Sequence, residues 1–259
     1  MSSNSEKRLK GIRVLIARPK GQGETLTAQL QNKGAEVVQL PAIEIQPTPL
    51  NTQIKNCFLN IDQYQHVIVI STHAARLGLH WLDHYWPQRP VFIKWYALGE
   101  KTASILNKAD IEVITAFQGN DSEALLDLPE LTQLNNESVL ILRGLGGRER
   151  LKQTLEQRGA NVDYAELYQR GLPSYSHSEL DKALIKFLPE ILITLSGETL
   201  NNLVKLSKNR DIMITNKTVL VPSKRVAEQA RLLGFSKILI PDALDEHSLI
   251  KCLLLNGRQ

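Results

Sequence analysis

The stretch VLIARPKGQGETLTAQLQNKGAEV, Val14 to Val37, recurs 125 residues later as VLILRGLGGRERLKQTLEQRGANV, Val139 to Val162. Of these 24 aligned positions 11 are identical, including Arg18/Arg143, Gly21/Gly146, Glu24/Glu149, Leu30/Leu155, Gly34/Gly159 and Ala35/Ala160. The same offset sets Val67-Ile68-Val69-Ile70-Ser71 on Leu192-Ile193-Thr194-Leu195-Ser196, and Val113-Ile114 on Ile238-Leu239. A slip of one residue brings Gly99-Glu100-Lys101-Thr102-Ala103 beside Ser223-Lys224-Arg225-Val226-Ala227. So long a period exceeds the roughly 20 to 50 residues of a solenoid unit, so the duplicated object is about a domain in size.

Each repeat alternates short apolar, β-branched runs with segments at helical spacing, the pattern of a parallel sheet covered by helices on both faces. In the first repeat the expected strands are Val14–Ala17, Val67–Ile70, Trp95–Leu98 and Glu112–Thr115. Between and after them the expected helices are Glu24–Asn32, Ala74–Leu82, Glu100–Lys108 and Ser122–Leu128, and the second repeat follows the same order. Gly34 and Gly159 stand just past their helices, where a left-handed residue closes the last turn without a Cβ clash. Ser71, Ser196 and Ser223 each stand between strand and helix, where a hydroxyl can accept from free backbone N–H groups.

Periodicity leaves one alternative open. Tandem lobes would divide near residue 130, whereas swapped lobes would each take a front and a back segment. Pro41-Ala42-Ile43-Glu44-Ile45 and Tyr164-Ala165-Glu166-Leu167-Tyr168 hold equivalent positions and read as extended, so they suit paired crossovers. Either arrangement implies a cleft.

Composition narrows the class. The 259 residues carry 31 Lys or Arg against 27 Asp or Glu, a formal charge of +4, with 42% apolar and 22% charged residues. That balance fits an ordinary globular protein of two domains and excludes a disordered or collagenous chain. No apolar run approaches the roughly 20 residues of a membrane span, and residues 1–10 read as a polar tail without a signal-peptide core, so the expected location is the cytoplasm. Cys57 and Cys252 lack metal-like spacing and read as two reduced, buried residues. His80 and His84 sit one helical turn apart without a third ligand, which favours a solvated helix face over zinc. Lys205, Lys208 and Arg210 are a weak basic cluster with no recognised nucleic-acid module around it.

The ordered set Arg13-Val14-Leu15-Ile16-Ala17-Arg18-Pro19, Leu40-Pro41-Ala42-Ile43-Glu44-Ile45, Ser71 to Ala75, Ala97 to Ala103, Arg143-Gly144 with Gly147-Arg148, Leu167-Tyr168-Gln169-Arg170, Ser196-Gly197-Glu198 and Val221-Pro222-Ser223 resembles uroporphyrinogen-III synthase. The resemblance runs from about residue 11 to about residue 255. It implies an α/β fold of HemD type: two flavodoxin-like, parallel-sheet lobes joined by a two-stranded linker. Lobe one would be 11–41 plus 172–259, and lobe two 46–169. It also implies an enzyme that converts hydroxymethylbilane to uroporphyrinogen III with loss of water, without a cofactor or metal. Such an enzyme would act as a monomer, with a transient contact to the preceding pathway enzyme and no nucleic-acid or membrane partner. At position 73 this chain carries His where many relatives carry Asn.

The implied substrate is a linear tetrapyrrole with eight carboxylates, which helix N-termini and small residues can receive through backbone N–H groups. The candidate substrate-binding residues are Arg18, Ser71, Thr72, Gly99, Thr102, Arg143, Gly144, Gly147, Arg148, Ser196, Gly197, Ser223 and Lys224. Tyr168 matches the tyrosine that the resemblance singles out and is the candidate catalytic acid. The competing readings are structural: Tyr168 as a strand-end aromatic, and Arg18 and Arg143 as salt bridges inside their lobes. Gly144-Leu145-Gly146-Gly147 fits neither the dinucleotide fingerprint nor a Walker sequence, so backbone capture of a carboxylate or a plain tight turn is expected there. A two-lobed binding protein that closes on an anionic ligand without turnover is the functional alternative.

Overall fold

The computed structural model describes residues 9–116, 122–147 and 149–256. In chain order its strands are β1 (Arg13–Ile16), β2 (Glu36–Gln39), β3 (Glu44–Pro47), β4 (His66–Val69), β5 (Lys94–Ala97), β6 (Val113–Ile114), β7 (Ser138–Gly144), β8 (Asn161–Gly171), β9 (Ile191–Ile193), β10 (Thr218–Leu220) and β11 (Lys237–Leu239). The chain forms two compact units. One holds the described residues up to Glu44 and those from Gly171 onward; the other spans Ile45–Arg170.

The first unit has a five-stranded sheet in the order β11-β10-β9-β1-β2, with every neighbouring pair parallel. Counted along its own chain this is the 2-1-3-4-5 order of the flavodoxin-like, doubly wound fold. The second unit has the order β3-β8-β7-β4-β5-β6, parallel from β8 to β6. By the 125-residue offset β7 and β8 answer to β1 and β2, while β4, β5 and β6 answer to β9, β10 and β11, so the winding is the same. Each sheet thus takes strands from both repeats: β1 of the first repeat lies in register with β9 of the second, Leu15 opposite Leu192. The chain changes unit twice, in β3 and at the end of β8. There Thr48 N–H donates to Leu167 O at 2.9 Å and the Gln169 amide donates to Gln46 Oε1 at 3.2 Å, residue numbers rising on β3 as they fall on β8.

Both sheets are buried on two faces, because helices return over each side. In the first unit Leu15, Leu192 and Val219 join one core, and the alternate residues Val14, Ile16, Ile191 and Leu220 join the other. In the second, Val67, Val69, Leu140 and Leu142 face one core while Ile68, Tyr96, Val139 and Ile141 face the other. This two-residue alternation in continuously apolar strands is what a parallel sheet requires.

Helix Glu24–Asn32 is found as expected, and Gly34 and Gly159 adopt φ of +91° and +94° just beyond their helices. Ser71, Ser196 and Ser223 are N-caps, each accepting from the N–H three residues on. Helix Thr72–Tyr85 is longer than the expected Ala74–Leu82, since the polar pair Thr72-His73 fills the turn that Ser71 caps. One strand lies outside those expected, and one expectation is corrected. Strand β2 at Glu36–Gln39 is not among the expected strands, because only part of the segment is apolar. The run Pro41–Ile45 is not extended throughout: Pro41 has no N–H for a ladder, and β3 begins only at Glu44.

Candidate functional site

In a parallel sheet wound in this order, functional groups gather beyond the carboxyl ends of the strands. In the second unit Ser71 follows β4, Gly99 follows β5, and Gly144 and Tyr168 lie at the ends of β7 and β8. Tyr168 is 3% exposed, with its Oη 3.0 Å from Ser71 Oγ. Ser71 Oγ also accepts from Ala74 N–H at 3.1 Å. The ring of His73 lies 5.6 Å from that of Tyr168, tilted by 56°.

A local irregularity aims the phenol. β7 and β8 run in simple register through Arg143 opposite Glu166, and then Gly144 pairs with Tyr168. The extra residue, Leu167, makes a bulge, so Leu167 and Tyr168 join the same core although they are neighbours in sequence. Gly144 is required by close approach: a Cβ there would stand 2.7 Å from Cε2 and Cζ of Tyr168. Leu145 N–H donates to Tyr168 O at 2.6 Å and closes the bulge.

Arg143 is turned inward and paired within its own lobe. Its side chain is 3% exposed, and Nη1 donates to Glu149 Oε1 at 3.1 Å, Nε to Gly144 O at 3.2 Å, and Nη2 to Gly146 O. Its guanidinium lies 4.4 Å over the Tyr164 ring, whose hydroxyl donates to Glu149 Oε2 at 2.8 Å. Gly146 N–H in turn donates to Glu166 Oε1 at 3.3 Å. The glycine run 144–147 is therefore bound from inside by a buried cation rather than offering that cation outward. The hydrogen bond from Tyr164 holds the Glu149 carboxyl below the usual carboxylate range, with Arg143 adding to it. Burial, with Glu149 beside it, pushes Tyr164 up to about 12. His73 is lowered from its ordinary value, first by burial and then by the charges of Arg76 and Arg170.

The remaining expected residues divide as follows. Thr72 opens the Ser71-capped helix and is half-buried. Gly99, at φ +84°, precedes helix Glu100–Asn107, and its carbonyl accepts from Thr102 N–H at 3.1 Å; Thr102 is 3% exposed. Gly147 packs against Arg143 Nη2, and Arg148 lies outside the described residues. In the first unit Arg18 follows β1, with Nη1 3.9 Å from Glu246 Oε1. Ser196 caps helix Gly197–Lys208 and its Oγ lies 2.8 Å from Thr199 Oγ1; Gly197 O accepts from Gln229 Nε2 at 3.0 Å. Ser223 caps helix Lys224–Leu232, and Lys224 is exposed at its start.

Tyr164, Glu149 and Glu166 are not among the expected site residues. The identity of Glu24 and Glu149 across the repeats is a signal for Glu149 alone. Among the described residues no group of His, Cys, Asp and Glu could hold a metal, His80 and His84 are exposed, and both cysteines are free and buried. No helix among the described residues is long and apolar enough to cross a membrane. A cavity of about 560 Å³ borders Tyr64, Ser138 and Asp163 near the amino ends of β7 and β8, lined by none of the expected residues.

Two sheets wound alike from exchanged halves of one duplication, with a buried phenol at the carboxyl edge of one, define a two-lobed α/β protein. The family model described as uroporphyrinogen-III synthase HemD matches residues 24–251. Uroporphyrinogen-III synthase of Escherichia coli K12 is 32% identical over 246 residues, 93% of this chain and 99% of that protein. The Salmonella typhimurium enzyme is 32% identical over 243 residues, covering 93% and 99%. Among solved structures, uroporphyrinogen III synthases of Thermus thermophilus (a mutant form) and Helicobacter pylori share the fold, each at TM-score 0.60. They are 16% and 19% identical and cover 95% of this chain and all of theirs. The chain belongs to the uroporphyrinogen-III synthase family.

Proposed function

We propose that the chain is the cyclising dehydratase of tetrapyrrole biosynthesis, converting hydroxymethylbilane to uroporphyrinogen III, with Tyr168 as the acid. The observation that carries the assignment is the placement of the Tyr168 hydroxyl 3.0 Å from Ser71 Oγ, at the cap of helix Thr72–Tyr85 and beside a glycine that makes room for its ring. The phenol gives its proton to the hydroxymethyl oxygen, the C–O bond breaks and water leaves. The azafulvene cation is attacked by the substituted carbon of the last pyrrole. The spiro intermediate fragments and recloses with that ring inverted, and the proton shed as it regains aromaticity returns to the phenolate. The positive end of the helix dipole favours the phenolate in between.

Because the bilane closes unaided to isomer I, the protein's main contribution is orientation and exclusion of the direct route. The helix starts that follow Ser71, Gly99, Ser196 and Ser223 supply anion partners, joined by Arg18 and Lys224; Arg143 serves by holding the glycine run. The reading includes no cofactor, a monomeric cytoplasmic enzyme, lobes at 11–41 with 172–259 and at 46–169, and a transient contact with the enzyme that supplies the bilane. The test supplies hydroxymethylbilane, oxidises the products and separates the isomers. Isomer III is expected as the main product, and a yield of isomer I no lower than in a protein-free blank would refute the assignment. Tight binding of the bilane without turnover would favour the binding-protein reading instead.

A further inference from the structure

Ser71 Oγ is in contact with two groups of its own protein, the N–H of Ala74 at 3.1 Å and the phenol of Tyr168 at 3.0 Å. The first contact fixes its direction, because a backbone N–H can only donate. The serine oxygen is thus an acceptor toward the helix, and its own hydroxyl proton remains to be placed. The 3.0 Å approach of Tyr168 Oη offers it an acceptor, and the burial of Tyr168 leaves little water to compete.

We infer that Ser71 is a positioning residue for the reaction, donating its hydroxyl proton to Tyr168 Oη so that the phenolic proton points away from the helix toward the leaving oxygen. This rests on the reading of Tyr168 as the acid. The chain N–H(Ala74), Oγ–H(Ser71), Oη(Tyr168) has a single polarity, and it carries the positive end of the 14-residue helix Thr72–Tyr85 to the phenol oxygen. When the O–H bond of Tyr168 breaks and the proton joins the departing hydroxyl as water, the negative charge left on Oη is met by a hydrogen bond already in place. Had the polarity been reversed, with Tyr168 donating to Ser71, the acid's proton would be engaged with the serine, and both hydroxyls would have to turn before it could be given and the phenolate met by a donor.

The offset of 125 residues supplies an internal contrast. Ser196, the equivalent cap, has its Oγ beside Thr199 Oγ1 at 2.8 Å within its own helix, so capping alone does not require a reach to another strand. The partner of Tyr168 by the same offset is Ile43, which has no polar side-chain atom.

The test separates capping from donation. Glycine is nearly as good an N-cap as serine, so Ser71→Gly keeps the helix start while removing the donor. In Ser71→Gly, kcat is expected to fall about tenfold with KM little changed, the loss of one well-placed hydrogen bond. The Cζ resonance of Tyr168, observed by NMR with tyrosine labelled at Cζ and assigned by its disappearance in Tyr168→Phe, is expected to move in Ser71→Gly, because the hydrogen bond to the phenol oxygen is lost. Ser71→Thr, which restores both hydroxyl and cap, is expected to recover most of the rate and the original resonance. An unaltered kcat and Cζ resonance in Ser71→Gly, beside an inactive Tyr168→Phe, would overturn the donation and leave Tyr168 as the acid. Full activity in Tyr168→Phe would overturn both.

Discussion

The two sheets share their winding and one serine cap, Ser71 answering to Ser196, yet their carboxyl edges differ position by position. Across the 125-residue offset Tyr168 faces Ile43, Gly144 faces Pro19 and His73 faces Glu198, while Arg143 and Ser71 face the identical Arg18 and Ser196. Even the identical pairs are used differently. Arg143 is 3% exposed and donates through three nitrogens, whereas Arg18 is 21% exposed and has one ion-pair partner among the described residues, at 3.9 Å. Ser71 reaches a phenol on another strand; Ser196 stays within its helix. A duplicated frame has kept what winding and helix capping need in both copies, while a phenol in contact with the capping serine stands at one edge only.

The sharpest test of that asymmetry is Tyr168→Phe, which makes the second edge as inert as Ile43 makes the first. A loss of about 10²- to 10⁴-fold in kcat is expected, the usual contribution of general acid catalysis, with the fold intact by circular dichroism. A loss no larger than that from Ile43→Val would erase the difference between the edges. Gly144→Ala comes next, because its Cβ would overlap the Tyr168 ring. Displacing the phenol by about 1 Å is expected to cost about 10²-fold in kcat, and the overpacking about 1–3 kcal/mol in stability by urea unfolding.

The two arginines allow a paired comparison. Arg143→Met strips Glu149 and two carbonyls of their donor and is expected to destabilise the protein by about 1–3 kcal/mol. Arg18→Met, with a single long ion pair to lose, is expected to change stability by less than about 0.5 kcal/mol. Equal shifts in the denaturation midpoint would show that burial does not distinguish them.

The smallest expected effect concerns His73. Burial and the neighbouring charges of Arg76 and Arg170 lower its folded value below the ordinary 6.5. Below about pH 6.5 the unfolded chain binds a proton there that the folded protein does not, so stability falls with pH until the folded value is reached. His73→Asn removes that slope. The drop in urea midpoint between about pH 7.5 and about pH 5.5 is expected to be smaller in the variant than in the parent protein, and an equal drop would place the titration elsewhere.

Much of the frame is legible in the chain because its causes are local. Alternation in Val67–Ile70 marks a strand buried on both faces, a serine between strand and helix marks a cap, and Gly34 and Gly159 mark helix ends. Strand β2 is hard to read because Glu36 and Gln39 dilute its apolar signal. Of the site, the resemblance points to Tyr168, but nothing local announces that its hydroxyl meets Ser71, 97 residues earlier in the chain. Nor is the bulge visible in sequence, since it lies in the pairing of β7 with β8 rather than in either strand. Arg143 reads as equally suited to substrate and to structure, because a guanidinium serves both and only its surroundings decide.

By itself, then, the sequence determined the duplication, the alternation of strands and helices, the capping serines and the family, all of which depend on residue type and spacing. The exchange of strands between repeats, which periodicity leaves open and only the resemblance implies, is visible in the sheet pairing; the bulge that aims Tyr168 and the inward turn of Arg143 were decided by tertiary structure alone. They depend on which strand edges meet and which donors are left facing acceptors, and a one-dimensional pattern does not carry that information.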